Sequence, residues 1–167
     1  QIQPDLLINR FDMREDQLRY RQAEVLNSLK TGEVTGSGCG IVMGGNWLIA
    51  ENFLVQIPIC KSSSSEEAAS ILRETDSSLI SDGKDVRVGK EFRIYILPHK
   101  DIQMRVTYLT ERGQEQDLLQ KTELKSGRIH QLPAEEKPFE FTLPTGQDTI
   151  IFEANGKKKL SVKININ

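Results

Sequence analysis

The stretch NGKKKLSVKININ, residues 155–167, decides the fold class. Asn-Gly is the strongest short signal for a two-residue hairpin turn, because both residues accept the positive φ angles of such a turn. After the turn, every second side chain is apolar, at Leu160, Val162, Ile164 and Ile166, and the side chains between them are polar. This two-residue period predicts a β-strand with one buried face and one solvated face.

The same period extends backwards through the second half of the chain. It predicts strands at residues 92–97, 102–109, 139–143 and 148–154, and the turn residues Gly113 and Gly127 delimit two further strands at 115–123 and 128–132. The first two of these strands, joined by a turn at 98–101, are expected to form a half-buried antiparallel pair. Short strands with a turn about every eight to twelve residues are typical of an antiparallel β-sandwich, with a small barrel as the alternative.

The first 60 residues predict a helix followed by a β-hairpin. Asp12 and Glu15 form a capping-box pattern ahead of residues 13–30, which contain neither Gly nor Pro. Gly44, Gly45 and Asn46 then predict a hairpin turn, because these residue types accept positive φ angles. The second strand of this hairpin is predicted to be long, and the apolar residues that share one of its faces are Trp47, Ile49, Phe53, Val55 and Ile57.

Residues 61–85 differ in composition from both of their neighbours. Lys61 and four serines precede Glu66 and Glu67, which is typical of the start of a short helix at 66–72. Residues 75–85 are predicted to be a loop or linker. We therefore expect three parts: a helix plus hairpin at 1–60, a short helix and linker at 61–85, and an antiparallel β-sandwich at 86–167. The predicted fold class is α+β, and mainly β.

The composition argues against several classes of protein. The chain has 22 basic and 24 acidic residues, a net charge of −2, which disfavours a dedicated nucleic-acid binder. Its longest apolar stretch, 47–59, is interrupted by polar residues and Pro58, so no transmembrane segment is expected. The chain begins with Gln1 rather than Met, from which we expect that a signal peptide, a lipoprotein leader or an upstream domain has been removed.

The residues that could carry chemistry are few. Cys39 and Cys60 lack the spacing of a zinc or redox motif, and two buried free thiols are the simpler interpretation, with a disulfide as the alternative. His99 falls in a predicted turn and His130 at a strand edge, and no Ser or Cys motif accompanies either of them. The sequence contains neither a metal-binding signature nor a phosphate-binding loop. It therefore predicts no catalytic residue, no cofactor and no metal ligand.

Residues 35–53 resemble the opening hairpin of chymotrypsin-type proteases. Phe53 stands about where that family has its catalytic histidine, and no Gly-Asp-Ser-Gly sequence follows. The remaining chain is also too short for the second barrel of that family. An active protease is therefore rejected.

Five segments carry a second resemblance: VRVGK (86–90), MRVTYL (104–109), IHQLP (129–133), FEFTLPTG (139–146) and TIIFEA (149–154). Together they resemble a bacterial accessory domain of unknown function that is appended to exported lipoproteins, caspase-like proteases and signalling kinases. The likeness covers 86–154 and rests on the strand order, the Leu-Pro before a loop and the Pro-x-Gly turn. It implies a β-sandwich without catalytic activity, in the Gram-negative envelope or secreted.

These observations favour a binding function by elimination. We expect a non-enzymatic protein-interaction or assembly module of a bacterial envelope or secreted protein. Its expected partner is a protein and not a nucleic acid, and association with further copies of the same chain is an open alternative. The expected location is the periplasm or cell envelope, with the cytoplasm as the alternative. The candidate interaction surface comprises the sheet edges and the side chains of Trp47, Phe53, Val55 and Ile57, because an edge can accept an added strand and an apolar face must be covered.

Two other functions stay open at this point. One is a thiol- or histidine-dependent enzyme whose site is assembled around Cys39 or His130 from residues that are distant in sequence. The other is a structural subunit of an envelope assembly.

Overall fold

The computed structural model describes residues 39–42, 45–60, 79–135, 137–142 and 146–167. The helices predicted at 13–30 and 66–72 lie outside these ranges. Within these ranges the chain is mainly β and contains no helix. Accordingly, no helix in the described part of the chain is long and apolar enough to span a membrane.

The described residues form two main sheets and a short ribbon. The four-stranded sheet has the order β1-β2-β5-β8, the five-stranded sheet has the order β3-β11-β10-β6-β7, and β4 pairs with β9 in the ribbon. The strands are β1 (Leu48–Ala50), β2 (Phe53–Gln56), β3 (Lys84–Val86), β4 (Glu91–Phe92), β5 (Ile94–Pro98), β6 (Ile102–Leu109), β7 (Glu115–Leu124), β8 (His130–Leu132), β9 (Phe139–Glu140), β10 (Gly146–Ala154) and β11 (Lys157–Ile166). The pairing is antiparallel except between β3 and β11, which are parallel, so the expectation of a wholly antiparallel arrangement is wrong at this edge.

The two main sheets pack together through one hydrophobic core. Phe53 of β2 and Phe152 of β10 meet across the core with ring centroids 6.3 Å apart. Ile80, which precedes β3, belongs to the same cluster of buried side chains. Residues from all three predicted parts, 1–60, 61–85 and 86–167, therefore contribute to a single core.

The β10–β11 hairpin confirms the prediction from residues 155–167. Asn155 and Gly156 form its turn with φ angles of 53° and 82°. In β11 the side chains of Val162, Ile164 and Ile166 are buried, whereas Lys163 between them is exposed. The apolar positions face the core because the side chains of a strand alternate between its two faces.

Replacing Gly156 by alanine is expected to lower the free energy of unfolding by about 1 kcal/mol, because a Cβ atom disfavours the positive φ of this turn. Apart from Gly156 and its two chain neighbours, no residue has an atom within 4 Å of the position that the Cβ would occupy, so the cost is conformational rather than steric. Urea denaturation of Gly156→Ala, with the exposed neighbour Lys157→Ala as the control, measures this cost. Equal stability of the two variants would contradict the assignment of the turn.

The strand predicted from Trp47 to Ile57 is wrong as a single element. The chain reverses at Glu51 and Asn52, and Ile49 of β1 pairs with Leu54 of β2. Asn52 has a φ of 73°, which asparagine tolerates better than most residues. The alternation of apolar side chains continues across this turn, which is why the pattern suggests one long strand.

The predicted first strand of that hairpin is also absent, because residues 39–42 lie in no strand. Instead, the Val42 N–H donates to Gln56 Oε1 at 2.9 Å, and Gln56 Nε2 donates to the Val42 carbonyl oxygen at 3.2 Å. The buried side-chain amide of Gln56 thus provides the donor and the acceptor that a neighbouring strand would have provided.

The predicted pairing of residues 92–97 with 102–109 is wrong as well. β5 pairs with β2 and β8, whereas β6 pairs with β10 and β7. The chain therefore passes from one sheet to the other between Pro98 and Ile102. All five residues of β5 are buried, because β5 is an inner strand that is covered on both faces.

A disulfide joins Cys39 to Cys60, whose Cα atoms are 4.2 Å apart. The prediction of two free thiols is therefore wrong. The hydroxyl of Tyr95 donates to the Cys39 carbonyl oxygen at 2.5 Å, inside the protein. The Cys60 N–H donates to the Glu91 carbonyl oxygen at 2.8 Å. The disulfide thus ties residues 39–42 to Cys60, whose backbone is hydrogen-bonded to β4.

The stability of the protein is expected to fall at alkaline pH because of Tyr95. Burial raises the pKa of Tyr95 to about 12, although the nearby Arg93 guanidinium opposes the rise. In the unfolded chain this hydroxyl loses its proton near pH 10, so above that pH the unfolded state is favoured until the folded state also titrates. We expect the stability advantage of wild type over Tyr95→Phe to shrink by about 2 kcal/mol between about pH 9 and about pH 12. An advantage that is the same at both pH values would contradict this expectation.

Candidate functional site

The four side chains that the sequence analysis assigned to the interaction surface are buried. Trp47, Phe53, Val55 and Ile57 are each at most 1% exposed. β2 lies between β1 and β5 and is buried along its whole length, so Phe53 and Val55 belong to the core. Among the residues that the structure describes, the only large exposed hydrophobic side chain is Val88. Apolar side chains that a partner could reach in the described ranges are therefore mostly half-buried rather than fully exposed.

The two histidines lie on neighbouring segments, since His99 directly follows β5 and His130 is the first residue of β8, which pairs with β5. The backbone N–H of His99 donates to the Asn52 carbonyl oxygen at 2.7 Å. Nε2 of His130 lies 2.9 Å from the Lys125 carbonyl oxygen. No group of three or more His, Cys, Asp or Glu residues that could hold a metal ion occurs in the described ranges.

A groove of about 400 Å³ lies between the β4–β9 ribbon and the end of the β6–β7 hairpin. Phe92 and Phe139 of the ribbon line one side. Gln116 and Leu118 of β7 line the other side, and Tyr108 and Asp148 are among the other lining residues. We refer to this feature as the groove, and it is the candidate site.

The Tyr108 hydroxyl and the Asp148 carboxylate form the polar floor of the groove. Asp148 is only 2% exposed. Its Oδ2 atom accepts a hydrogen bond from the Tyr108 hydroxyl at 2.5 Å, and its Oδ1 atom accepts one from the Glu111 N–H at 3.2 Å. These two donors offset the cost of burying the carboxylate. Both oxygens are thereby engaged, so the floor is a fixed structural element.

The electrostatics of the floor keep the Tyr108 hydroxyl protonated. Burial raises the pKa of Tyr108 well above its ordinary value, and the hydrogen bond and negative charge of Asp148 raise it further. A hydroxyl in this state remains a hydrogen-bond donor at physiological pH.

Removing this hydroxyl is expected to destabilise the fold. We expect Tyr108→Phe to lower the free energy of unfolding by about 2 kcal/mol, because one buried carboxylate oxygen then loses its donor. Denaturation in urea at neutral pH measures the difference. A change within about 0.5 kcal/mol would show that the Tyr108–Asp148 bond contributes no more than an ordinary surface contact.

Four aromatic rings form a continuous row from the floor to the rim of the groove, in the order Tyr108, Phe141, Phe92 and Phe139. Phe141 stacks on Phe92, with ring centroids 4.2 Å apart and an interplanar angle of 18°. Phe139 tilts against Phe92 at 5.4 Å, and Tyr108 tilts against Phe141 at 6.3 Å. Phe92 and Phe141 are fully buried, whereas Phe139 is half-buried at the groove. The buried rings thus hold the half-buried ring of Phe139 in place as a preformed contact surface.

The neighbouring sheet edge is less suited to accept a partner strand. β7 is an outer strand of the five-stranded sheet. Its pairing with β6 has two register shifts, and its exposed side chains include Asp117, Lys121 and Glu123. Bulges and charges of this kind protect sheet edges from pairing with another chain. The groove is therefore a better candidate site than the edge of β7.

Sequence reasoning missed the groove, although the pattern contained a signal for its floor. Asp148 occupies an inward position of the alternating series that continues with Ile150, Phe152 and Ala154. A carboxylate in a series of buried side chains requires polar partners. The carboxylate of Asp148 at an inward position is therefore a signal, within the sequence itself, that a polar site lies at this end of β10.

Comparisons with known proteins add little to this geometry. No protein-family model matches the chain, and no curated protein matches it. Among solved structures, the alkylpurine DNA glycosylase AlkC of Pseudomonas fluorescens, bound to DNA with an abasic site analogue, is similar at 11% identity and a TM-score of 0.32. The match covers 50% of this chain and 27% of that structure's chain. A likeness at this level bears on neither the fold nor the function of this chain.

Proposed function

We propose that the protein is a non-enzymatic binding module, a β-sandwich that holds a segment of a protein partner in the groove. The observation that carries this proposal is the combination of a preformed aromatic wall with a fixed polar floor in one concave site. Ligand pockets typically combine apolar and aromatic side chains with a few polar groups in a volume of about 300–1,000 Å³, a range that includes the groove.

The chemistry of the lining suits a polypeptide segment. The ring of Phe139 offers an apolar contact, and the side-chain amides of Gln114 and Gln116 offer both donors and acceptors to a peptide backbone. The Asp148 carboxylate has both oxygens in hydrogen bonds, so it is better suited to shaping the site than to proton transfer. These features favour binding over catalysis.

The disulfide supports an extracytoplasmic location. Disulfides persist in the periplasm and outside the cell and are rare in the cytosol, so the bond between Cys39 and Cys60 favours a periplasmic, cell-envelope or secreted protein. It also weighs against a thiol-dependent enzyme, because a sulfur atom in a disulfide is not a thiolate nucleophile.

Selection from a display library of random peptides tests the proposed function. The immobilised wild-type protein selects the clones, which are then compared on Thr142→Trp. Thr142 is exposed and lines the groove, so an indole at this position would obstruct the site without entering the core. We expect clones that the wild type retains and that Thr142→Trp loses.

Lys157→Trp is the matched control. Residue 157 is exposed and pairs with Ala154, at the far end of the sheet from Asp148. Clones that depend on the groove should bind Lys157→Trp as well as they bind the wild type. If all enriched clones bind both tryptophan variants equally, the groove is not the binding site.

A further inference from the structure

We infer that the partner segment presents a lysine or arginine side chain to the groove. This inference rests on the proposed function and specifies the chemistry of the occupant. Among the described residues, those that line the groove include the carboxylates of Glu115, Glu140 and Asp148 and a single cationic side chain, Lys137. Three negative groups against one positive group give the site an excess of negative charge, which favours a cationic occupant.

The positions of two of these carboxylates strengthen the argument. Glu115 lies on β7 and Glu140 on β9, so both elements that flank the groove bring an exposed carboxylate to it. Within the described part of the chain, neither side chain forms an ion pair. Each is therefore available to a cation from a partner.

Carboxylates elsewhere on the same sheet are paired with the protein's own cations. Asp117 lies 3.0 Å from Arg105, and Glu123 lies 2.7 Å from Lys125. Asp117 and Glu123 of β7 thus form ion pairs within the protein. Glu115, at the groove, has no cationic partner among the described residues. This contrast distinguishes the groove from the rest of the strand.

The aromatic wall adds a second attraction for the same occupant. The half-buried ring of Phe139 can receive an ammonium or guanidinium group on its face, where the ring quadrupole is negative. The methylene groups of a lysine or arginine side chain can contact Leu118 and Pro138, which also line the groove. An acidic or purely apolar side chain would gain only part of these interactions.

The test compares two selections from the same library of random peptides, one on the wild type and one on the double variant Glu115→Gln and Glu140→Gln. These substitutions remove the two charges and keep the size of the side chains. The double variant Asp85→Asn and Glu123→Gln is the control, because it changes the net charge equally at exposed positions outside the groove. We expect groove-dependent clones from the wild type to be enriched in Lys and Arg, and this enrichment to disappear with the groove double variant.

Affinity measurements on one selected basic peptide complete the test. Its Kd, measured by fluorescence anisotropy, should rise about fivefold on the groove double variant and stay within about twofold on the control. Substituting citrulline for the peptide's arginine, or norleucine for its lysine, should weaken binding to the wild type by a similar factor.

The outcomes separate this inference from the proposed function. Groove-dependent clones without Lys or Arg enrichment, or equal affinities for the two double variants, would overturn the inference and leave peptide binding in the groove intact. A selection that yields no groove-dependent clone would overturn both.

Discussion

Phe152→Ala is expected to lower the free energy of unfolding by about 4 kcal/mol, because the loss of a large buried ring is among the most costly single substitutions. Phe152 is fully buried in β10 and meets Phe53 of β2 across the interface between the two main sheets. Removing the ring loses its transfer free energy and leaves a cavity that the surrounding strands can only partly fill. Urea denaturation followed by circular dichroism measures the loss.

A double-mutant cycle with Phe53→Ala tests whether the two sheets pack as the structure shows. Because the two rings are in contact, their combined effect should differ from the sum of the single effects by about 0.5–1.5 kcal/mol. A second cycle, which combines Phe152→Ala with Ile166→Ala, serves as the comparison. Ile166 is buried at the far end of β11. Strict additivity of Phe53→Ala and Phe152→Ala would contradict the packing of β2 on β10.

Removal of the disulfide is expected to have the second largest effect. The double variant Cys39→Ser and Cys60→Ser should lose about 3 kcal/mol, because the bond closes a loop across a sequence separation of 21 residues and restricts the unfolded chain. Buried polar contacts should weaken as well, since the Tyr95 hydroxyl donates to the Cys39 carbonyl oxygen. The midpoint of urea denaturation reports the difference.

Reduction of the wild-type protein provides the control for this variant. With dithiothreitol present, the wild type should unfold at a urea concentration close to that of the double-serine variant. If the reductant leaves the wild-type midpoint unchanged while the thiols titrate as free, the two cysteines are not bonded in solution.

The sequence predicts well those parts of the fold in which turn residues and the alternation of apolar side chains directly determine a turn or a strand. Residues 155–167 contain both a turn signal and a strict alternation, and both are found in the structure. The predicted strands at 102–109 and 115–123 are also confirmed, as β6 and β7. In β6 and β11 the hydrophobic period indicates which face is buried.

The same local patterns do not predict which strands pair with each other or which strands are buried on both faces. All residues of β5 are buried, so its pattern gives neither a solvated face nor a partner strand, and the nearest strand in sequence is the wrong partner. At Glu51 and Asn52 the alternation continues through a tight turn. The parallel contact of β3 with β11 joins residues about 80 positions apart, a separation that no local pattern encodes.

The candidate site is the least predictable part for a related reason. Trp47 and Phe53 suggest a surface because an apolar face needs a cover, but the neighbouring strands provide that cover. The groove, in contrast, combines Phe139, Tyr108 and Asp148, which lie on three strands that only the tertiary structure brings together. Its one sequence signal is the carboxylate of Asp148 among buried positions.

The most direct test of the central claim, that the groove is the binding site, is an NMR titration of the 15N-labelled protein with one peptide selected on the wild type. We predict that the largest amide shift changes occur at Gln116, Phe139 and Thr142, which line the groove, and that Thr142→Trp abolishes them. Shift changes concentrated instead at β1, at β8 or at the β10–β11 turn would contradict the claim.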